Sequence, residues 1–230
     1  MSNSQSFSLE DFAGKVRLFP LPNLVLFPHV MQPLHIFEPR YRSLLEAALG
    51  DDRLIAMAIL APGWESDYEG RPALYPTACL SRVTTYHRLE DGTYNVLVLG
   101  LRRIKLLHEL APARDFREAT IELCEDFCPP SRRQVEQQLR DRLAHAIRNT
   151  DCLPREAWQQ LEPSFGDNLS LAALTDVLSF LMNLDVTAKE ALLADTDICR
   201  RAKRLLKLLD DPSCGGPSSD SDYPPEFSVN

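Results

Sequence analysis

No stretch of the 230 residues stays apolar over anything near the roughly 20 positions that a membrane-crossing helix needs, so no bilayer anchor is expected. A G-x-x-x-x-G-K-S/T phosphate loop is also missing: Gly14-Lys15 runs into Val16 and has no glycine at the required spacing before it. That excludes an ATP motor built from these residues. Positive charge is in deficit, with 25 Lys and Arg against 33 Asp and Glu and a formal charge of −8. Such a molecule repels phosphate backbones and binds nucleic acid only through a local basic patch. Part of the deficit is peripheral, because residues 210–230 hold Asp210, Asp211, Asp220, Asp222 and Glu226 and no Lys or Arg. No signal peptide precedes the six cysteines (Cys79, Cys124, Cys128, Cys152, Cys199, Cys214), which predicts reduced thiols and a cytoplasmic location.

What is present suffices for a full core. Apolar residues make up 44% and charged residues 25% of the chain, ordinary values for a globular protein, and the length allows one large domain or two small ones. The chain is organised around residues 16–50. There an extended run of Val16, Leu18 and Phe19 meets Pro20, Pro22 and Pro28, which forbid helix and turn the chain back on itself. Met31–Ile36 is extended again. Pro39 then opens a helix whose Tyr41, Leu44, Leu45, Ala48 and Leu49 form one buried stripe, closed by Gly50 as a left-handed cap.

On either side, the pattern predicts strands up to about residue 126 and helices beyond it. Phe7, Ser8, Asp11 and Phe12 read as a capped turn within an N-terminal clasp, residues 1–14. Leu54–Leu60 is a continuous apolar run, as in a strand buried on both faces. Thr77–Leu89 and Tyr94–Leu110 flank Glu90-Asp91-Gly92-Thr93, a strong hairpin signal, and Phe116–Cys124 alternates as a strand with one wet face. Five or six mostly antiparallel strands with one inserted helix predict a small curled sheet or pseudo-barrel over residues 15–128.

Cys128-Pro129-Pro130-Ser131 marks the boundary. A helical part, residues 129–210, follows, with stripes at Val135, Leu139, Leu143, Ala146 and Ile147, at Leu171, Leu174, Leu178 and Leu181, and at Ile198, Ala202, Leu205, Leu206 and Leu209. Ser131 and Gln134 are expected to cap the first of these helices, Pro154 to start a short one holding Trp158 and Leu161, and Thr187 with Glu190 to cap another. Residues 211–230 have the composition of a flexible acidic tail.

Residues 19–45, FPLPNLVLFPHVMQPLHIFEPRYRSLL, resemble the opening of the Lon-type substrate-binding domain, the N-terminal domain of ATP-dependent Lon proteases that also occurs as a free-standing protein. DGTYNVLVLGLRRIKL at 91–106 is similar to that family's hairpin, and residues 174–209 resemble its helical part. The resemblance assigns signature positions to Pro28, Glu38, Pro39, Arg40, Tyr41, Asp91, Gly92, Gly100 and Arg103. It implies an α+β fold, a PUA-like β pseudo-barrel followed by a C-terminal α-helical bundle. Two departures stand out. His29 replaces a family glycine, and Ala78-Cys79-Leu80-Ser81 replaces a turn with two glycines, which leaves a straighter or differently bulged strand.

The function implied by the resemblance is recognition of unfolded or degron-bearing polypeptide, with a separate protease as a candidate partner and with neither ATPase nor peptidase. The contact candidates are Trp64, Tyr68 and Tyr75 on the polar 62–76 loop, with His35 and Phe37 beside the signature helix. No cofactor, metal or catalytic residue is assigned. Cys124 and Cys128 lack a second ligand pair, Glu38 has no nucleophile to serve, and Gly216-Pro217-Ser218 echoes a Lon peptidase motif in a tail that lacks the partner lysine. A second reading is an RNA-binding PUA-like module using Arg82, Arg88, Arg102, Arg103 and Lys105 as a basic strip, against which Glu90, Asp91 and Glu109 are interleaved. A hydrolase is the third.

Overall fold

The computed structural model describes residues 14–68, 70–129, 133–148 and 169–210. The N-terminal clasp, the cap at Ser131, the short helix with Trp158 and the acidic tail lie outside the described residues. Six strands, five α-helices and one short 3-10 turn (Trp64–Ser66) appear among those described. The strands and α-helices are β1 (Lys15–Leu21), β2 (Met31–Ile36), α1 (Pro39–Leu49), β3 (Leu54–Ile59), β4 (Thr77–Arg88), β5 (Tyr94–Glu109), β6 (Arg117–Cys124), α2 (Arg133–Arg148), α3 (Leu171–Leu181), α4 (Val186–Leu193) and α5 (Ile198–Leu209).

The sheet runs β2-β5-β4-β3-β1-β6, and β5 also pairs with β6, so five of the strands close a ring. Closure depends on the length of β5, whose 16 residues pair with β2 near one end and with β6 near the other. Among the described strands, only β1 and β3 run parallel. β2 is left as an edge strand, and Pro33, which has no N–H to give, sits on it as sheet prolines must.

Each wall of the ring faces a different core. Leu54, Ala56 and Ala58 of β3 join Leu18, Ala78, Leu80, Ile104 and Ala119 inside the barrel, where alanines fit the narrow bore. Ile55, Met57 and Ile59 point the other way, into a larger cluster that includes α1 and the C-terminal helices. The two-faced burial expected of this strand follows from period-two alternation alone. One hydrophobic cluster therefore runs from the barrel wall through Leu143, Leu178 and Leu205 of the bundle.

The local corrections concern caps and bulges. Gly50 is right-handed (φ −78°, ψ −5°), and the left-handed residue is Arg53 (φ 62°), whose N–H bonds Ala48 O at 2.8 Å. The helix still ends at Leu49, and the left-handed residue that turns the chain into β3 comes three positions after Gly50. Asp185, not Thr187, caps α4, its carboxylate accepting from Ala188 N at 2.7 Å; a carboxylate at N-cap meets the orphan amides directly. In β4 the register shifts at Leu80/Ser81 and again at Val83/Thr85, so the glycine-free segment is bulged.

Candidate polypeptide-binding surface

The β2–α1 corner gathers most of the residues singled out in the sequence. Pro39 takes the first helical position of α1, where a missing N–H costs nothing, and Glu38 is left at N-cap with its side chain free to turn outward. Glu38 accepts from Arg40 Nε at 2.8 Å and from the Tyr68 hydroxyl at 2.9 Å. Burial and that hydrogen bond raise the Tyr68 phenol above its ordinary range, so it stays a neutral donor.

Arg40 is stacked between two rings, its Cζ 4.7 Å from the centroids of both Tyr41 and Tyr68. Behind it Tyr41 stacks on Phe19 at 4.3 Å and donates its hydroxyl to Pro20 O at 2.9 Å. In front of it Trp64 meets Tyr68 edge-on at 5.6 Å. The result is a column, Phe19–Tyr41–Arg40–Tyr68–Trp64, that begins in the core and ends on a half-exposed indole. Gly63, at φ 92°, supplies the turn that aims Trp64 back at the column.

The remaining candidates divide. His35 and Phe37 stack at 5.9 Å, and His35 Nδ1 lies 2.8 Å from Asn95 Oδ1. The hollow beside them holds only about 20 Å³, room for one water, so these two rings offer a surface and not a pocket. Tyr75 stands apart from the column: its N–H bonds Ile59 O at 2.9 Å and its ring packs on the main core.

The other signature residues serve the frame. Asp91 Oδ1 accepts from Thr93 N at 2.9 Å and Thr93 Oγ1 at 2.7 Å, and Gly92 has φ 81°, which together fix the hairpin turn. Gly100 has no room for a Cβ, which would overlap the Phe27 carbonyl beside the buried Pro28 turn.

Arg103 corrects the basic strip. It is 2% exposed and faces the bundle, donating Nε to Leu193 O at 2.9 Å and both Nη to Asp176. Asp126 joins it at 3.2 Å and pairs bidentately with the fully buried Arg201 at 2.8 and 2.7 Å. Asp126, Asp176 and Arg201 escaped the sequence reading. The signal for Asp176 and Arg201 was a charge inside an apolar stripe, Asp176 between Leu174 and Leu178 and Arg201 between Ile198 and Ala202, positions a charge occupies only when paired; Asp126, in the loop after β6, carries no such signal.

Among the described residues no cluster of three or more His, Cys, Asp and Glu is arranged to hold a metal, and no helix is long and apolar enough to cross a membrane. Cys79 and Cys199 are buried, and Cys128 lies with its sulfur 3.6 Å from that of Cys199. Burial, then the contact with Cys199, pushes the Cys128 thiol up to about 12; burial does the same to Cys79. Thiols so placed are poor nucleophiles.

The model of the ATP-dependent protease La (LON) substrate-binding domain matches residues 15–211. Lon protease 1 of Bdellovibrio bacteriovorus is 25% identical over 203 residues, 86% of this chain and 24% of that protein. Lon protease 2 of Desulfotalea psychrophila is 33% identical over 113 residues, 49% of this chain and 14% of that protein. The chain spans less than a quarter of the length of these curated relatives. Among solved structures, the N-terminal domain of a Mycobacterium avium complex Lon protease gives a TM-score of 0.66 at 16% identity, covering 86% of this chain and 99% of that one. The Lon N-terminal domain protein from Xanthomonas campestris gives 0.57 at 19%, covering 84% and 97%. At such identities the likeness is one of fold.

Proposed function

The chain belongs to the family of Lon substrate-binding domains, and from that premise we propose that its 230 residues bind unfolded or degron-bearing polypeptide without cutting it. The observation that carries this reading is the aromatic column, with Trp64 and Tyr68 braced by Glu38 and Arg40 at the surface. Rings held by a core-anchored stack present apolar area at little entropic cost, which suits weak capture of extended apolar segments. Strand addition on β2 is less favoured, because Pro33 interrupts its edge. A captured segment is released intact, ready for a separate protease. The RNA reading loses its central cation, since Arg103 is spent on Asp176 and Asp126.

The test is titration of fluorescently labelled, reduced and alkylated casein with the purified chain at low and high salt. Binding that persists in high salt and weakens at least fivefold in Trp64→Ala and Tyr68→Ala supports the proposal. Unchanged affinity in both variants overturns it. RNA binding that falls steeply with salt favours the nucleic-acid module instead.

A further inference from the structure

A second cavity, of about 200 Å³, opens at the end of the barrel between the 62–76 loop and the β5–β6 connection. Four arginines line it, Arg40, Arg71, Arg114 and Arg117, over an apolar floor that includes Tyr41 and Phe116. Arg71 and Arg117 share Glu109: Arg117 donates Nε at 2.9 Å and Nη2 at 2.6 Å, and Arg71 donates Nε at 2.9 Å. Arg117 also gives Nη1 to Pro72 O at 2.9 Å, which uses up its fork. Arg40 has Glu38, and Asp115 stands on the rim.

Unspent donors remain. Among the described residues, Arg40 Nη2 and Arg71 Nη1 have no hydrogen-bond acceptor, and the exposed Arg114 has only the Phe116 ring, 5.6 Å from its Cζ. A guanidinium left open above an aromatic floor suits a planar carboxylate carried on an apolar body. The volume is below the roughly 300–1,000 Å³ of drug-sized sites, enough for about one residue.

We propose that this cavity takes the C-terminal residue of a polypeptide, its carboxylate on Arg114 with Arg40 or Arg71 and its side chain on Phe116 and Tyr41. The inference rests on the polypeptide-binding reading and gives it an end-specific component: a chain terminus is held at the barrel mouth while the aromatic column touches the segment before it.

The experiment uses the full chain and three probes: N-acetyl-Ala-Ala-Leu as free acid, the same peptide as C-terminal amide, and N-acetyl-Asp-amide. Binding is followed through backbone amide shifts in two-dimensional NMR. The expected result is that the free acid shifts Arg114 and Phe116, binds at least tenfold more tightly than the amide, and loses at least fivefold in Arg114→Ala, with partial recovery in Arg114→Lys. Equal affinity for acid and amide, absence of binding at about 10 mM, or shifts confined to other regions would overturn the proposal. N-acetyl-Asp-amide binding as tightly as the acid would overturn the terminus in favour of acidic side chains. Casein capture that persists when the acid fails to bind leaves the general reading standing and removes only this site.

Discussion

His29 and Asp176 stand 147 positions apart in the chain, yet His29 Nδ1 donates to Asp176 Oδ2 across 3.1 Å. The histidine does so from a left-handed backbone, φ 66°, with its side chain half exposed and the aspartate fully buried. The bend that the family makes with glycine is made here with a residue that ties the barrel to the bundle. Left-handed backbone costs a non-glycine residue about 1–2 kcal/mol, and a hydrogen bond to a charged group returns about the same. His29→Gly is therefore expected to change unfolding free energy by less than about 1 kcal/mol, while His29→Ala keeps the strain, loses the bond and costs about 2 kcal/mol. Urea unfolding of both variants checks this; equal losses would refute the balance.

Asp176 lies among Arg103, Arg201 and His29 with no exposure of its own. Burial opposes its ionisation, but the His29 hydrogen bond and the two arginines outweigh it and hold the carboxyl below the ordinary range. A carboxyl depressed in the folded state adds stability that is complete above its unfolded value, near 3.9, and is lost as pH falls through the folded one. Acid unfolding should therefore be steep below about pH 4. Asp176→Asn is expected to flatten that slope and, by leaving two buried arginines undercompensated, to cost about 3–5 kcal/mol at pH 7. Urea midpoints measured from pH 3 to pH 8 decide it, and a slope identical to that of the parent chain would assign acid sensitivity to other groups.

Much of this architecture was legible in the sequence because it obeys local periodicity. The two-faced burial of β3, the Asp91-Gly92 hairpin and the stripe of α5 each need only a few neighbouring residues to be read. Ring closure was not legible, since it depends on which strands meet at the two ends of β5. The ionic junction was half legible: Arg103 was singled out by resemblance, but its partners come from a loop and two helices that only the tertiary fold assembles. At the candidate surface, Trp64, Tyr68 and Tyr75 were read together as contact candidates on one loop; the fold sets Trp64 edge-on to Tyr68 and turns Tyr75 to the core. Loop composition does not say which aromatic faces inward.

Gly100 gives a prediction of a different kind, from space and not charge. Its φ is not left-handed, yet a Cβ would overlap the Phe27 carbonyl and come within 3.1 Å of Cys79 Sγ. The Phe27 turn is pinned on both sides, by His29 N to Gly100 O and Gly100 N to Val30 O, each 2.9 Å, so it cannot yield cheaply. Gly100→Ala is expected to cost about 2–3 kcal/mol, the range for overpacking a tight interior. A thermal midpoint within 2 °C of the parent would show that the turn gives way.

Lys189 provides the test at alkaline pH. Its Nζ donates to Phe180 O at 2.8 Å and lies 5.7 Å from the Phe180 ring, with no carboxylate bonded to it among the described residues. Burial lowers its ammonium to about 8. Because the unfolded value is near 10.4, the unfolded chain binds more protons between about pH 8 and 10.4, so this group makes stability rise with pH across that interval. Below pH 8 the charged amine is carried into the fold at a cost. Lys189→Met should accordingly stabilise the protein by about 1 kcal/mol at pH 7 and by progressively less as pH approaches 10. Paired urea titrations of parent and variant at pH 7 and pH 10 read the difference directly. A gain that stays constant between the two would mean that the benefit comes from packing the methionine and not from removing the buried charge.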